Sequence, residues 1–375
     1  MSTWTLGFNA ASQLLAIVHV LLFFFRNGLG VRLDFIAAIL VAIVIFASNI
    51  FYLENDIDLA FRGFGKLIII LSFCYTLYWS LAKLDDKGWE IIRRTLWLSL
   101  ALSVIQLKGF DLGFMPQMLC ILFIFNVEFI LNLQGRRPAP LYISAIIMLF
   151  SMKKQIIASA LMLVGLTRPI RSFFIGTGAI FAILFAPHVW LFFSPNSANF
   201  MDGRRSSFLS ERFITVDPYG NMRLFLLAEY GGEVVDKSII FGFGLEKFGS
   251  IPAFETNRDI ERNILGMNDF VAEKYNTNTV FGSVSADVGI LIIWMQMGLL
   301  GFLFYYLLIK SVAGKNFRTF LVIATIAPFL IAGANVISVG LSILVSLTAM
   351  SLETGFGKTV QKKREVQHHA NIARP

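Results

Sequence analysis

Residues 33–53 read LDFIAAILVAIVIFASNIFYL, with a single charged side chain, Asp34, at the second position. A helix rises about 1.5 Å per residue, so a segment of this length covers about 31 Å, the depth of a bilayer's hydrocarbon core. The stretch therefore predicts a membrane-crossing helix. Further apolar runs lie at 8–25, 66–82, 95–107, 113–133, 139–150, 155–167, 172–193, 286–309, 319–335 and 337–353. With 33–53 they make eleven. The first has neither the basic leader nor the small-residue cleavage site of a signal peptide, so it too is expected to be a span. Three runs, 95–107, 139–150 and 155–167, are short for a crossing.

Composition points the same way. Of 375 residues 56% are hydrophobic, 15% are charged and 38 are Phe. Mean hydropathy is +0.70, and a soluble globular chain carries about 25% charged residues. An ordinary soluble enzyme, a disordered chain and a secreted disulfide scaffold are thereby excluded. Cys74 and Cys120 both fall in apolar runs and are expected to pack there as small side chains. The histidines, His19, His188, His368 and His369, have no metal-ligand spacing, and no metal or cofactor is expected. The net charge of +8 fits cytoplasmic connections of a membrane protein, not nucleic-acid binding.

The expected fold is all-α: a polytopic helical membrane protein of about eleven transmembrane helices with one large outer, periplasmic loop. Residues 1–193 would form an N-terminal bundle of about eight helices. Residues 194–285 would form the loop, which holds no run long enough to cross. Residues 286–353 would supply the last helices and 354–375 a basic cytoplasmic tail, read as a disordered, solvated segment. Orientation follows Lys and Arg in the short connections. One set of alternate connections, with Arg26 and Arg32, Lys83 to Arg94, Arg136 and Arg137, Arg168 and Arg171, Lys310 to Arg318 and the tail, holds 18. The other holds five: Arg62, Lys66, Lys108, Lys153 and Lys154. This places the N-terminus and the long loop outside and the C-terminus inside. It assumes that 139–167 is two short helices with the lysine pair between them; whether they cross fully or re-enter stays open.

The loop carries nine basic and twelve acidic residues, so any anion binding rests on particular side chains. Residues 221–233 and 258–275 have helical periodicity. Between them lies Gly242-Phe243-Gly244-Leu245-Glu246-Lys247-Phe248, where glycines at i and i+2 permit positive φ and close backbone approach. The segment lacks the strand–turn–helix context of a nucleotide loop. Lys153 and Lys154 lie between two apolar helices, where cations are expensive and often functional; the alternative is that both snorkel to the interface. His188 is more simply a packed or interfacial residue. Glu128, inside the run 113–133, is expected to face the bundle and pair.

These parts, in this order, resemble the O-antigen polymerase and O-antigen ligase superfamily, bacterial membrane glycosyltransferases of GT-C-like architecture. The resemblance covers roughly residues 140–310. It rests on Ser151-Met152-Lys153-Lys154 at the end of a helix and on Arg223, which precedes the turn Gly242 to Phe248 by about twenty residues. It continues in the span from Asp287 through Gln296 to Gly298-Leu299-Leu300-Gly301. Asp287 stands where the ligases have histidine, and Gln296 where glutamate is usual. Lysines replace an arginine in the first element. The missing histidine favours a polymerase.

The resemblance implies transfer of a growing glycan from an undecaprenyl-diphosphate-linked donor to an undecaprenyl-diphosphate-linked repeat unit, without metal, at the outer face of the bacterial inner membrane. Asp287, Arg223 and Glu229 are then the candidate catalytic residues. Lys153, Lys154, Arg212, Arg204, Arg205, Gly242 and Gly244 are the candidate substrate-binding residues. Asp287 has a second reading, as the N-cap of the helix that follows. The implied partners are the two lipid-linked glycans, the bilayer, a chain-length regulator and a flippase, with no nucleic acid. An O-antigen ligase and a transporter of polysaccharide or lipid-linked sugar remain the alternatives.

Overall fold

The structure, a computed structural model, describes residues 3–27, 31–106, 115–136, 138–150, 154–167, 234–235, 238–248, 289–332 and 338–372. Among the described residues the fold is all-α. There are ten helices: α1 (Thr3–Asn27), α2 (Leu33–Phe51), α3 (Ile57–Ala82), α4 (Asp86–Gln106), α5 (Met115–Leu133), α6 (Ala139–Phe150), α7 (Lys154–Thr167), α8 (Gly289–Ala313), α9 (Asn316–Ala332) and α10 (Val339–Ile372). They lie over ten of the eleven apolar runs; the run 172–193 lies outside the described residues. Three segments, Leu33–Phe51, Gly289–Ala313 and Val339–Phe356, are long and apolar enough to cross a membrane. Such helices pair each backbone N–H and C=O within their own segment, as a hydrocarbon surround would require.

Several boundaries differ from the apolar runs. α3 starts at Ile57 and α4 at Asp86, so Arg62, Lys66, Lys87, Arg93 and Arg94 sit on helices, not in connections. Polar first turns are sustained by capping and by local pairs. The Asp56 carboxylate accepts the Asp58 N–H at 2.9 Å and the Asp85 carboxylate accepts the Gly88 N–H at 2.8 Å. Glu90 then pairs with Arg93 at 3.2 Å and Arg94 at 2.9 Å. The Arg94 hydrogen bond, with Arg93 and Arg136 nearby, holds the Glu90 carboxyl below its ordinary range. The tail read as disordered is instead helical as far as Ile372, where α10 continues past its apolar part through Gly355 and Gly357.

The chain forms two compact units. One comprises residues 1–73, 181–311 and 329–341. Here α2 and α8 run in opposite directions. Asp34 meets Lys310 at 3.2 Å, and the Arg32 guanidinium donates to the Ser311 carbonyl at 3.3 Å. At the far end of α2 the Tyr52 ring lies 5.1 Å from that of Phe241. The side chains buried in this unit include Phe35, Ile45, Leu67, Phe248 and Phe304.

The other unit comprises 74–180, 312–328 and 342–375. α5 packs against α4, α6 and α7. Glu128 on α5 is buried, as expected of a charge in an apolar run. It accepts the Trp97 indole N–H at 2.9 Å and lies 3.7 Å from Arg93. Glu353 accepts from the Tyr78 hydroxyl and pairs with Arg318 at 3.4 Å. Cys74 and Cys120 are both free thiols.

Candidate functional site

The site is built where a helix breaks. Inside α8, Gly298 has φ 55° and ψ −144°, values no helix contains. A break there strands groups of the i→i−4 ladder: the Met295 carbonyl loses the Leu299 N–H, and the Leu300 N–H loses Gln296. The glycine turn of residues 238–248 replaces both. Phe243 N–H donates to the Met295 carbonyl at 2.7 Å. Leu299 N–H donates to the Ile239 carbonyl at 3.0 Å, and Leu300 N–H to the Ile240 carbonyl at 3.2 Å. The fit is backbone against backbone. A Cβ on Gly242 would stand 2.7 Å from the Met295 oxygen and the Met297 nitrogen, and one on Gly298 would stand 2.6 Å from the Ile239 oxygen. Gly242 and Gly244 have φ +68° and +120°, so both glycines of the sequence motif supply the positive φ expected of them.

Four polar side chains hold the far limb of the turn. The Gln296 amide donates to the Phe248 carbonyl at 2.5 Å and accepts the Glu246 N–H at 3.3 Å. The Asn49 oxygen accepts the Leu245 N–H at 2.6 Å. The Asn55 amide bridges that same oxygen and the Leu245 carbonyl, at 3.1 and 3.0 Å. Glu246 sits at φ 61°, in left-handed backbone unfavourable for a side chain. Its carboxylate is 2% exposed and meets the Lys66 ammonium at 2.7 Å. Lys247 points the other way, its ammonium donating to the Leu53 carbonyl at 3.5 Å.

The chemistry available is that of a rigid, desolvated polar cluster. It holds one ion pair, one half-buried ammonium and three carboxamides against a turn that closes a broken helix. Ionisable groups at such a depth in an apolar bundle mark functional sites more often than structural ones. Among the described residues no group of His, Cys, Asp and Glu is arranged to hold a metal ion.

Of the residues singled out by sequence, Gly242 and Gly244 lie in this site. Arg223, Glu229, Asp287, Arg204, Arg205, Arg212, Lys153 and His188 lie outside the described residues, as do the helical segments 221–233 and 258–275. Lys154 opens α7, and its side chain is likewise outside what is described. Sequence reasoning missed Asn49, Asn55, Lys66 and Gly298, and it counted Glu246 as one acid among twelve. Asn49 was the visible signal, an amide in the apolar stretch 33–53. Gln296 carried another: its amide makes two opposed hydrogen bonds, and an ionised glutamate could not donate to Phe248.

No known protein family matches the chain, and no curated protein or solved structure matches it either. Fold and site therefore define a class alone: an all-α protein with helices of membrane-crossing length, one of them broken and sealed by a glycine turn among buried polar side chains.

Proposed function

We propose that this chain is a bacterial inner-membrane glycosyltransferase that polymerises undecaprenyl-diphosphate-linked oligosaccharide repeat units into a surface polysaccharide. One observation carries the reading. The segments that carry two elements of the family resemblance, residues 239–248 and 295–301, are far apart in sequence yet bonded to each other through Phe243, Leu299, Leu300 and Gln296. In this reading about eleven spans surround the site, and residues 194–285 belong to the outer face. The donor arrives with its diphosphate leaving group already activated. Arg223, Lys153, Lys154 and the other loop arginines neutralise the charge that develops on it. Asp287, or Glu229, takes the proton of the acceptor hydroxyl. No nucleotide is needed. A flippase would deliver the substrates and a chain-length regulator would set the product.

The test is deletion of the gene with surface glycan scored by length. A polymerase deletion leaves single capped repeat units. Loss of all glycan from lipid A-core indicates a ligase. The broken α8 with buried polar groups beside it also suits a transporter, whose substrate sites often form at discontinuous helices. Repeat units accumulating on the inner leaflet of the deletion strain would favour that second reading.

A further inference from the structure

We infer that the glycine turn of residues 238–248 is a re-entrant membrane segment, with Ile239 and Ile240 set against lipid acyl chains near the middle of the bilayer. The inference rests on depth and exposure and is independent of the transferase reading. Asp34 and Lys310 pair at one end of α2 and α8. Charges at helix ends mark the edge of the hydrocarbon. Leu299, whose N–H is bonded to the Ile239 carbonyl, lies eleven residues from Lys310 along α8, so about 16 Å above that edge. A hydrocarbon core is about 30 Å thick. Asn49, bonded to Leu245, lies fifteen residues from Asp34 on α2, about 22 Å up. The turn thus enters from the Leu53 end and reaches roughly half depth.

The exposed and buried surfaces of the turn sort as this requires. Irregular backbone is tolerated at membrane depth only when protein covers it. Gly242, Gly244, Leu245, Glu246 and Phe248 are buried. What remains exposed at the bottom is apolar: Ile239 at 41% and Ile240 at 49%. Beside them on α8 are Leu299 at 47% and Leu303 at 43%, making one continuous apolar face. In water that face would be an unprotected apolar patch. In hydrocarbon it is lipid-facing surface like that of the helix it joins.

The experiment places single cysteines at Ile239 and Ile240 in the full-length protein, with Cys74 and Cys120 replaced by Ala, and labels them with a nitroxide. The protein is reconstituted in phosphatidylethanolamine–phosphatidylglycerol vesicles. Leu303→Cys gives the lipid reference and Asp86→Cys the aqueous one. Collisions with oxygen and with a water-soluble nickel chelate are read by power saturation. The expected result is oxygen access matching Leu303 and nickel access far below Asp86, at either position. Nickel access matching Asp86 overturns the inference, as does poor access to both relaxants, which would mean that protein covers the face. Quenching of a fluorophore at the same cysteines by acyl-brominated lipid gives a second readout should one labelled variant fail to reconstitute.

Discussion

Replacing Gly242 by Ala should open the seal on the broken helix. Two costs are readable. The residue sits at φ +68°, where a Cβ costs about 1–2 kcal/mol. The added methyl would also lie 2.7 Å from the Met295 oxygen and 2.8 Å from the Gly298 nitrogen. These are backbone atoms, so the turn must move instead. Moving it stretches the bonds Phe243–Met295, Leu299–Ile239 and Leu300–Ile240, each worth about 1 kcal/mol net. The total is about 4 kcal/mol against the docked turn, close to a thousandfold in the docked population. Hydrogen exchange at the Leu299 and Leu300 amides in vesicles measures this directly, since both lose their acceptors. Gly298→Ala should act alike, and the double variant should cost much less than the sum, because the two glycines meet at one contact. Gly65→Ala is the control. Nothing lies within 4 Å of a Cβ built there, and a helical Gly→Ala change is neutral or favourable by up to about 1 kcal/mol. Unchanged protection of Leu299 and Leu300 in Gly242→Ala would refute the account of the site.

Other expectations follow from the same cluster. Lys66→Met should destabilise the docked turn by about 3 kcal/mol by leaving the Glu246 carboxylate buried without its cation, and Lys66→Met/Glu246→Gln should recover most of it, both read by thermal unfolding in detergent. At a pH where the new side chain is ionised, Gln296→Glu removes the donor to Phe248 and should cost about 1–3 kcal/mol by the same measurement, so equal stability would contradict the role given to that bond. If Asp287 is the base, Asp287→Asn should stop polymer formation at normal protein level; if it is a helix cap, Asn should be nearly silent while Ala lowers abundance.

The class of structure was legible in the apolar pattern. A 19-residue α2 with one acid, repeated as apolar runs along the chain, leaves helices as the way to satisfy the backbone in lipid. The sequence also determined that Gly242 and Gly244 take positive φ, because a Gly-x-Gly spacing is local information. Helix starts were not legible. Lys66 and Arg93 look like loop residues until the pairs Lys66–Glu246 and Arg93–Glu90 are seen to satisfy their charges on α3 and α4. Nor was the break in α8: Gly298 sits in an apolar run that reads as continuous, and a lone glycine costs a helix only about 1 kcal/mol. The break persists because a turn some fifty residues earlier in the chain returns the hydrogen bonds it loses. That exchange depends on which carbonyl meets which N–H in space. The same holds for Glu246, which composition counts as one of twelve loop acids and which the tertiary structure buries against Lys66. The hydrophobic pattern sets where the chain is helical, because burial of apolar side chains acts residue by residue. Which polar groups end up paired inside was decided by long-range contacts, because a hydrogen bond at 2.5–3.3 Å has no signature in the spacing of its partners.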